Sequence, residues 1–173
     1  HIRNDELGKP LCDYPDVHVS ISHKETLAIA CVVSENDAHG VGIDLEFVSP
    51  RERAMWEQFF TPTEQKLALR MAREEETEQS TYFTHLWSIK EAVSKAVGLG
   101  LRADSRQFEV LDLSPAGKAR VELHDLDSAE RPDSAFCGKV SAWVEQRNGY
   151  VIARSLFKKG LPGQREGTTQ PTR

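Results

Sequence analysis

The chain has 173 residues, which is enough for one domain or for two small halves that share a core. Its formal net charge of −5 argues against a surface that coats nucleic acid or an anionic membrane. No apolar run approaches the roughly 20 residues that span a bilayer, and no signal-peptide pattern opens the chain. Cys12, Cys31 and Cys137 are far apart and form no CxxC motif, so we expect reduced, mostly buried thiols in a cytoplasmic protein.

The first 48 residues are predicted to be extended and then to form strands. Residues 1–16 are polar and contain Gly and Pro, which favours extended structure. Apolar and alternating runs predict strands over residues 17–22 and 27–33, joined by a hairpin turn. A second turn at residues 36–40 leads into another strand over residues 41–48.

The strand over residues 41–48 alternates strictly between apolar and other side chains. Successive side chains of a strand point to opposite faces, so Asp44 and Glu46 project from the same face of the strand as Gly42. The other face takes the apolar residues Val41, Ile43, Leu45 and Phe47. An isolated Asp-x-Glu pair is most often solvated, but two carboxylates supply hard oxygen ligands for Mg²⁺. Gly42 would leave room on that face for a ligand, and the metal site would need a third carboxylate.

Helices are predicted in the middle of the chain. Residues 51–60 form the first helix. Thr61 is the expected N-cap of the second, where Glu64 closes a capping box and receives no catalytic role. The longest helix covers residues 81–97 and ends at Gly98. Its buried stripe is predicted to consist of Phe83, Leu86, Trp87, Ala92, Val93 and Ala96.

The longest helix carries the third candidate carboxylate. Glu91 and Lys95 are one turn apart and therefore share a face of the helix. Alone, they would be an ordinary surface pair worth a few tenths of a kcal/mol. Lys90 projects about 100° away from Glu91, where it either binds a ligand phosphate or is solvated.

Two further positions could contact an anionic ligand. His23 lies at the end of a predicted strand, between Ser22 and Lys24. Such a histidine is most often a hydrogen-bonded structural residue, but with these neighbours it could also bind a phosphate. Lys9, beside Pro10, is by default an ordinary loop lysine.

Strands are predicted again after the long helix, over residues 107–111, 119–124, 140–146 and 150–156. The pair Asn148-Gly149 indicates a hairpin between the last two. From residue 158 onward the composition is typical of a flexible tail or linker. The order of elements predicts an α+β fold with antiparallel sheet.

The ordered set of motifs resembles the 4′-phosphopantetheinyl transferase family, in particular its larger, surfactin-synthetase-activating type. The resemblance covers roughly residues 8–157. It is carried by residues 8–10, 20–23, 42–46, 59–64, 83–92 with Lys95, and 98–101. Each motif is weak alone, and their order and spacing together are specific.

The resemblance implies transfer of the 4′-phosphopantetheine arm of coenzyme A to a serine of an acyl or peptidyl carrier protein, with release of 3′,5′-ADP. By the family's pattern, Mg²⁺ would be held by Asp44, Glu46 and Glu91. Glu91 is also the usual candidate for the base, and Lys95 would neutralise the pyrophosphate. With Lys90 added for its place beside Glu91, the expected coenzyme A contacts are Lys9, Ser22, His23, Lys90 and Lys95.

The family's fold has two similar α+β halves, with helices on small antiparallel sheets and the ligand between them. The resemblance therefore predicts a shortened first half at residues 1–40, a second half at 41–157 and a tail at 158–173. Lys24 stands where a small residue is commoner in the family, and it would add a phosphate contact. The short first half and the start at His1 fit a domain of a multidomain synthase, and a short first half also fits a chain that associates with its own copies.

The predicted partners are coenzyme A and a carrier protein, with no nucleic acid and no membrane. The carrier's acidic helices would meet basic and apolar groups at residues 51–60, namely Arg51, Arg53, Phe59 and Phe60, although the two phenylalanines are as readily core residues. The main rival function is a non-catalytic module that binds a carrier protein or a neighbouring domain. A metal-dependent phosphatase or pyrophosphatase also fits three acids and a lysine, but leaves the other motifs unexplained.

Overall fold

The computed structural model describes residues 1–6, 8–50, 53–100, 103–124 and 138–159. The strands are β1 (Ile2–Asn4), β2 (Pro10–Cys12), β3 (Val17–Lys24), β4 (Leu27–Ser34), β5 (Gly40–Phe47), β6 (Phe108–Leu113), β7 (Lys118–Leu123), β8 (Gly138–Arg147) and β9 (Tyr150–Lys159). The helices are α1 (Arg53–Phe59), α2 (Pro62–Glu74) and α3 (Gln79–Val97), with a short 3-10 helix at Ser105–Gln107.

The strands of the described residues form three antiparallel sheets. Two of them are the hairpins β1–β2 and β3–β4. The third has five strands in the order β5-β9-β8-β7-β6. Residues of α2, α3 and this large sheet form one hydrophobic core. The architecture is therefore α+β with antiparallel sheets, as the sequence predicts.

The predicted elements differ from the observed ones mainly at their ends. The residues expected to be extended at the start of the chain contain the hairpin β1–β2. Strand β9 continues to Lys159, so two residues assigned to the tail belong to the sheet, and residues 160–173 lie outside the described ranges. Cys12 and Cys31 are free thiols but only half-buried, and Cys137 lies outside the described residues. No helix in the described ranges is both long and apolar enough to cross a membrane.

Helix α3 supplies the centre of the core. The residues of its predicted stripe are all buried except Trp87, which is half-buried and packs edge-on against the ring of Phe59. The preceding helix begins with the predicted capping box. The Thr61 hydroxyl accepts the N–H of Glu64 at 3.2 Å, and the Glu64 carboxylate accepts the N–H of Thr61 at 2.8 Å.

Two glycines of β5 allow the backbone of α3 to approach the strand directly. A Cβ atom on Gly40 would lie 2.0 Å from the carbonyl oxygen of Ala96, and one on Gly42 would lie 1.8 Å from that of Ala92. Real Cβ atoms essentially never come within 3.0 Å of such atoms, so both positions require glycine. The expectation that Gly42 leaves room for a ligand is therefore wrong, because the helix fills that space.

The hairpin β3–β4 is joined to β5 by serine hydroxyls. The Ser20 hydroxyl accepts the N–H of Ile43 at 3.0 Å, and the Ser22 hydroxyl accepts the N–H of Leu45 at 3.1 Å. These two bonds satisfy backbone donors on the edge of β5 that would otherwise be unpaired. They also fix the register, because alternate residues of β3 meet alternate residues of β5.

Lys90 is buried, and its ammonium is engaged within the protein. Its side chain is 1 % exposed, and its ammonium lies 2.8 and 2.6 Å from the two carboxylate oxygens of Glu64, which is 0 % exposed. The ammonium also donates to the carbonyl oxygen of Phe59 at 3.1 Å. Burial lowers the pKa of Lys90 from its ordinary value, and Glu64 opposes that shift. Both sequence-based alternatives for Lys90, a phosphate contact or a solvated side chain, are therefore wrong in this structure.

We expect Gly42→Ala to reduce the free energy of unfolding by about 3 kcal/mol or more, because the methyl group would overlap the backbone of α3. Urea unfolding monitored by circular dichroism measures the change. Gly100→Ala is the control, since, its chain neighbours apart, no described residue has an atom within 4 Å of its Cβ position and only its φ of +58° is strained. It should cost about 1 kcal/mol. Equal effects of the two substitutions would contradict the close packing of α3 on β5.

We expect Lys90→Met to reduce the free energy of unfolding by about 3 to 5 kcal/mol, because it leaves a buried carboxylate without its cation. The double variant Lys90→Met/Glu64→Gln should recover part of that loss, since it removes both charges. Arg70→Met is the control, because Arg70 makes an exposed pair with Glu74 on α2. Its effect should stay within about 0.5 kcal/mol. A double variant no more stable than Lys90→Met would show that charge compensation is not the cause.

Candidate functional site

Asp44 lies where β5, β3 and α3 meet, and its carboxylate is only half satisfied. Oxygen Oδ1 accepts the Lys95 ammonium at 2.8 Å and the Ser22 hydroxyl at 3.2 Å. Oxygen Oδ2 is buried and has no hydrogen-bond partner among the described residues. The residue is 5 % exposed, so the missing partner is not bulk water. A buried carboxylate oxygen without a partner is costly, which suggests that a ligand completes it.

Lys95 is held by both the strand and the hairpin. Besides Asp44, its ammonium donates to the carbonyl oxygen of Ile43 at 3.0 Å and reaches the Ser22 hydroxyl at 3.4 Å. Its side chain remains 27 % exposed. The lysine is therefore fixed in position while its side chain remains partly exposed. A group that neutralises an anionic ligand needs both properties.

Glu46 follows Asp44 on the same face of β5, and the cation beside it comes from the hairpin. The ammonium of Lys24, the last residue of β3, lies 2.6 Å from Glu46 Oε2. The sequence reasoning did not predict this pair. A signal was present, because Lys24 has the same parity on β3 as Ser20 and Ser22, which also contact β5.

Glu91 completes the group of three predicted acids, one turn before Lys95 on α3. Burial raises the pKa of Glu91, and the nearby charges of Asp44 and Glu46 raise it further, while Lys95 opposes the shift. The structure thus brings all three predicted acids and Lys95 close enough to interact. A shared proton or a cation would relieve the repulsion among the acids.

The residues fit a divalent cation in their chemistry. All three side chains present carboxylate oxygens, the ligands that Mg²⁺ prefers, and one of those oxygens is buried without a partner. No cluster of three potential ligands is found in the described part of the chain, however. Lys24 and Lys95 occupy one oxygen each of Glu46 and Asp44 instead.

Two cavities adjoin this charged group, one at Lys95 and one at Glu91. One, of about 310 Å³, is lined by Lys9 from the loop between β1 and β2, by Lys95, and by the Gly98–Gly100 turn after α3. The other, of about 300 Å³, is lined by Glu91 together with the aromatic side chains of Phe59 and Trp87. Volumes near 300 Å³ lie at the lower end of the range for small-molecule sites.

The remaining predicted contacts differ in how they relate to these cavities. Lys9 lines the first cavity, as a phosphate contact would require. Ser22 is buried and its hydroxyl is used by Leu45 and Asp44. His23 is exposed near the end of β3. Their predicted contacts with coenzyme A stay predictions.

The proposed carrier-binding region is described only in part. Arg51 and the side chain of Arg53 lie outside the described residues. Phe60 is 3 % exposed and belongs to the core, so it is not available to a carrier protein. Phe59 is half-buried and lines the cavity beside Glu91.

Comparison with known proteins identifies the family. The model of the 4′-phosphopantetheinyl transferase superfamily matches residues 40–154. The chain is 36% identical over 124 residues to the 4′-phosphopantetheinyl transferase Sfp of Bacillus subtilis, covering 71% of this chain and 52% of that protein. It is 36% identical over 106 residues to the 4′-phosphopantetheinyl transferase gsp of Aneurinibacillus migulanus, covering 61% and 41%. The chain therefore spans about half the length of the curated relatives it matches.

Solved structures share the fold at lower identity. The coenzyme A complex of the holo-carrier synthase from Chronobacterium ammoniagenes has a TM-score of 0.53 at 19% identity and covers 70% of this chain and 98% of that one. The holo-[acyl-carrier-protein] synthase of Neisseria meningitidis has a TM-score of 0.52 at 20% identity, covering 70% and 99%. The family match over two-thirds of the chain, together with the fold, shows that this chain belongs to the 4′-phosphopantetheinyl transferase superfamily.

Proposed function

We propose that this chain transfers the 4′-phosphopantetheine arm of coenzyme A to a serine hydroxyl of an acyl or peptidyl carrier protein, with Mg²⁺ and with release of 3′,5′-ADP. One observation carries the proposal. Asp44 and Glu46 lie close enough to Glu91 and Lys95 to interact with them, Lys95 and Glu91 each line a cavity, and the buried oxygen Oδ2 of Asp44 lacks a partner within the described residues. Family membership and the coenzyme A complexes of proteins with the same fold support the choice of substrate.

The proposed binding mode follows from the charges that line the cavities. The phosphates of coenzyme A would lie in the cavity that holds Lys9 and Lys95, because both cations line its wall. The pantetheine arm would extend past Glu91 into the second cavity, where Phe59 and Trp87 offer apolar surface. Mg²⁺, held by Asp44, Glu46 and Glu91, would supply positive charge at the pyrophosphate when bound.

The proposed reaction is a phosphoryl transfer in which this chain supplies position and charge. The carrier serine oxygen forms a bond to the phosphorus that bears the pantetheine arm. The bond from that phosphorus to the bridging oxygen breaks, and 3′,5′-ADP leaves with the electron pair. The serine proton passes to the Glu91 carboxylate, directly or through water. Lys95, fixed by Asp44 and the carbonyl of Ile43, stabilises the charge that develops on the leaving group.

The chain should convert apo carrier protein to its holo form in the presence of coenzyme A and Mg²⁺. Intact mass spectrometry of the carrier measures the phosphopantetheine increment. Asp44→Asn and Glu91→Gln should each lower the rate by at least about 100-fold, because each removes a charge that positions or activates the reactants. The control is Glu74→Gln on α2, an exposed carboxylate that should have no effect.

Two results would contradict the proposal. One is the absence of any mass increment across several carriers while a working transferase modifies them. The other is full activity of either site variant with its fold intact. Calorimetry tests the rival function, because binding of a carrier without Mg²⁺-dependent binding of coenzyme A would favour a non-catalytic module.

A further inference from the structure

The ion pair between Lys24 and Glu46 places a fixed cation on one of the proposed metal ligands. The two charged atoms are 2.6 Å apart, within the range of a strong charge-assisted hydrogen bond. Glu46 is mostly buried, with 14 % of its side chain exposed, whereas Lys24 is 37 % exposed. The lysine can therefore leave toward solvent while the carboxylate stays in the site.

Lys24 reaches Glu46 because of the register between β3 and β5. Ser20 contacts the N–H of Ile43, and Ser22 contacts the N–H of Leu45. Lys24 is the next residue of the same parity on β3, so its side chain is directed to the next part of β5, where Glu46 lies. The pair is thus positioned by a strand and not by a flexible loop.

When both lysines are counted, the net charge of the site is small. Asp44, Glu46 and Glu91 contribute three negative charges when ionised, and Lys24 and Lys95 contribute two positive ones, so the sum is −1. Removing the charge of Lys24 makes the sum −2, which attracts a divalent cation more strongly. Lys95 is a different case. Of the two carboxylate oxygens of Asp44 it contacts Oδ1 alone, and Oδ2 has no partner in the described structure.

We propose that Lys24 competes with the divalent cation for Glu46 and thereby sets the cation affinity of this site. The inference rests on the proposed function for the identity of the site. In the cation-free protein, Lys24 neutralises Glu46. When a cation is bound, Lys24 gives up this contact, and its ammonium becomes available to the anionic co-substrate.

The test measures Mn²⁺ binding in the absence of coenzyme A, by calorimetry and by the electron paramagnetic resonance signal of free Mn²⁺. Lys24→Gln should bind Mn²⁺ about 5- to 10-fold more tightly than the unmodified chain, since it removes a competing charge at a partly exposed pair. Lys66→Gln is the matched control, because it removes the same charge from an exposed position of α2 and should leave the affinity unchanged. Thermal unfolding confirms that each variant is folded.

The outcomes separate this inference from the proposed function. Binding to Lys24→Gln that is equal to or weaker than that of the unmodified chain overturns the role of Lys24, and the metal site stands if Asp44→Asn abolishes binding. Mn²⁺ binding by Lys24→Gln that the unmodified chain lacks supports the inference. An equal increase in Lys66→Gln overturns it, because net charge alone would then account for the change. The absence of binding in every variant overturns both the inference and the proposed metal site.

Discussion

The close approach of α3 to β5 is the constraint on which the site depends. At Gly40 and Gly42 the helix backbone occupies the space where side chains would otherwise stand. This contact brings the last turns of α3 against the strand, so Lys95 reaches Asp44 and Glu91 lies within the electrostatic reach of both strand acids. A larger separation would leave the carboxylates on two independent surfaces. The backbone contact therefore determines which charged side chains lie close together.

Much of the fold could be predicted because its signals are local. The capping box at Thr61 and Glu64, the Asn148-Gly149 turn and the apolar stripe of α3 are each encoded within a few residues. The three acids and Lys95 were also predicted, but the family resemblance was needed to join β5 with α3, since no local pattern reports which distant elements pack together. The role assigned to Gly42 was wrong for the same reason. A glycine indicates close approach without identifying what approaches.

The two lysines of α3 have different roles because they project from different faces of the helix. Lys90 and Lys95 flank Glu91 in the sequence, and sequence reasoning assigned both to coenzyme A. Their directions on the helix differ, so Lys90 enters the core to meet Glu64, which also accepts the N–H of Val110. Lys95 turns to the site. A buried partner 26 residues earlier in the chain could not be inferred from the local spacing of charges.

The hydroxyl of Ser22 belongs to the hairpin, yet it donates to the acid of the large sheet. Together with Ser20 it also supplies acceptors for backbone donors of β5. The smallest segment that carries this site therefore includes β3 as well as the five-stranded sheet. A recombination boundary placed between β4 and β5 would transfer Asp44 without the group that orients it. Gene fusions or domain exchanges within this superfamily should accordingly keep β3 and β5 on the same fragment.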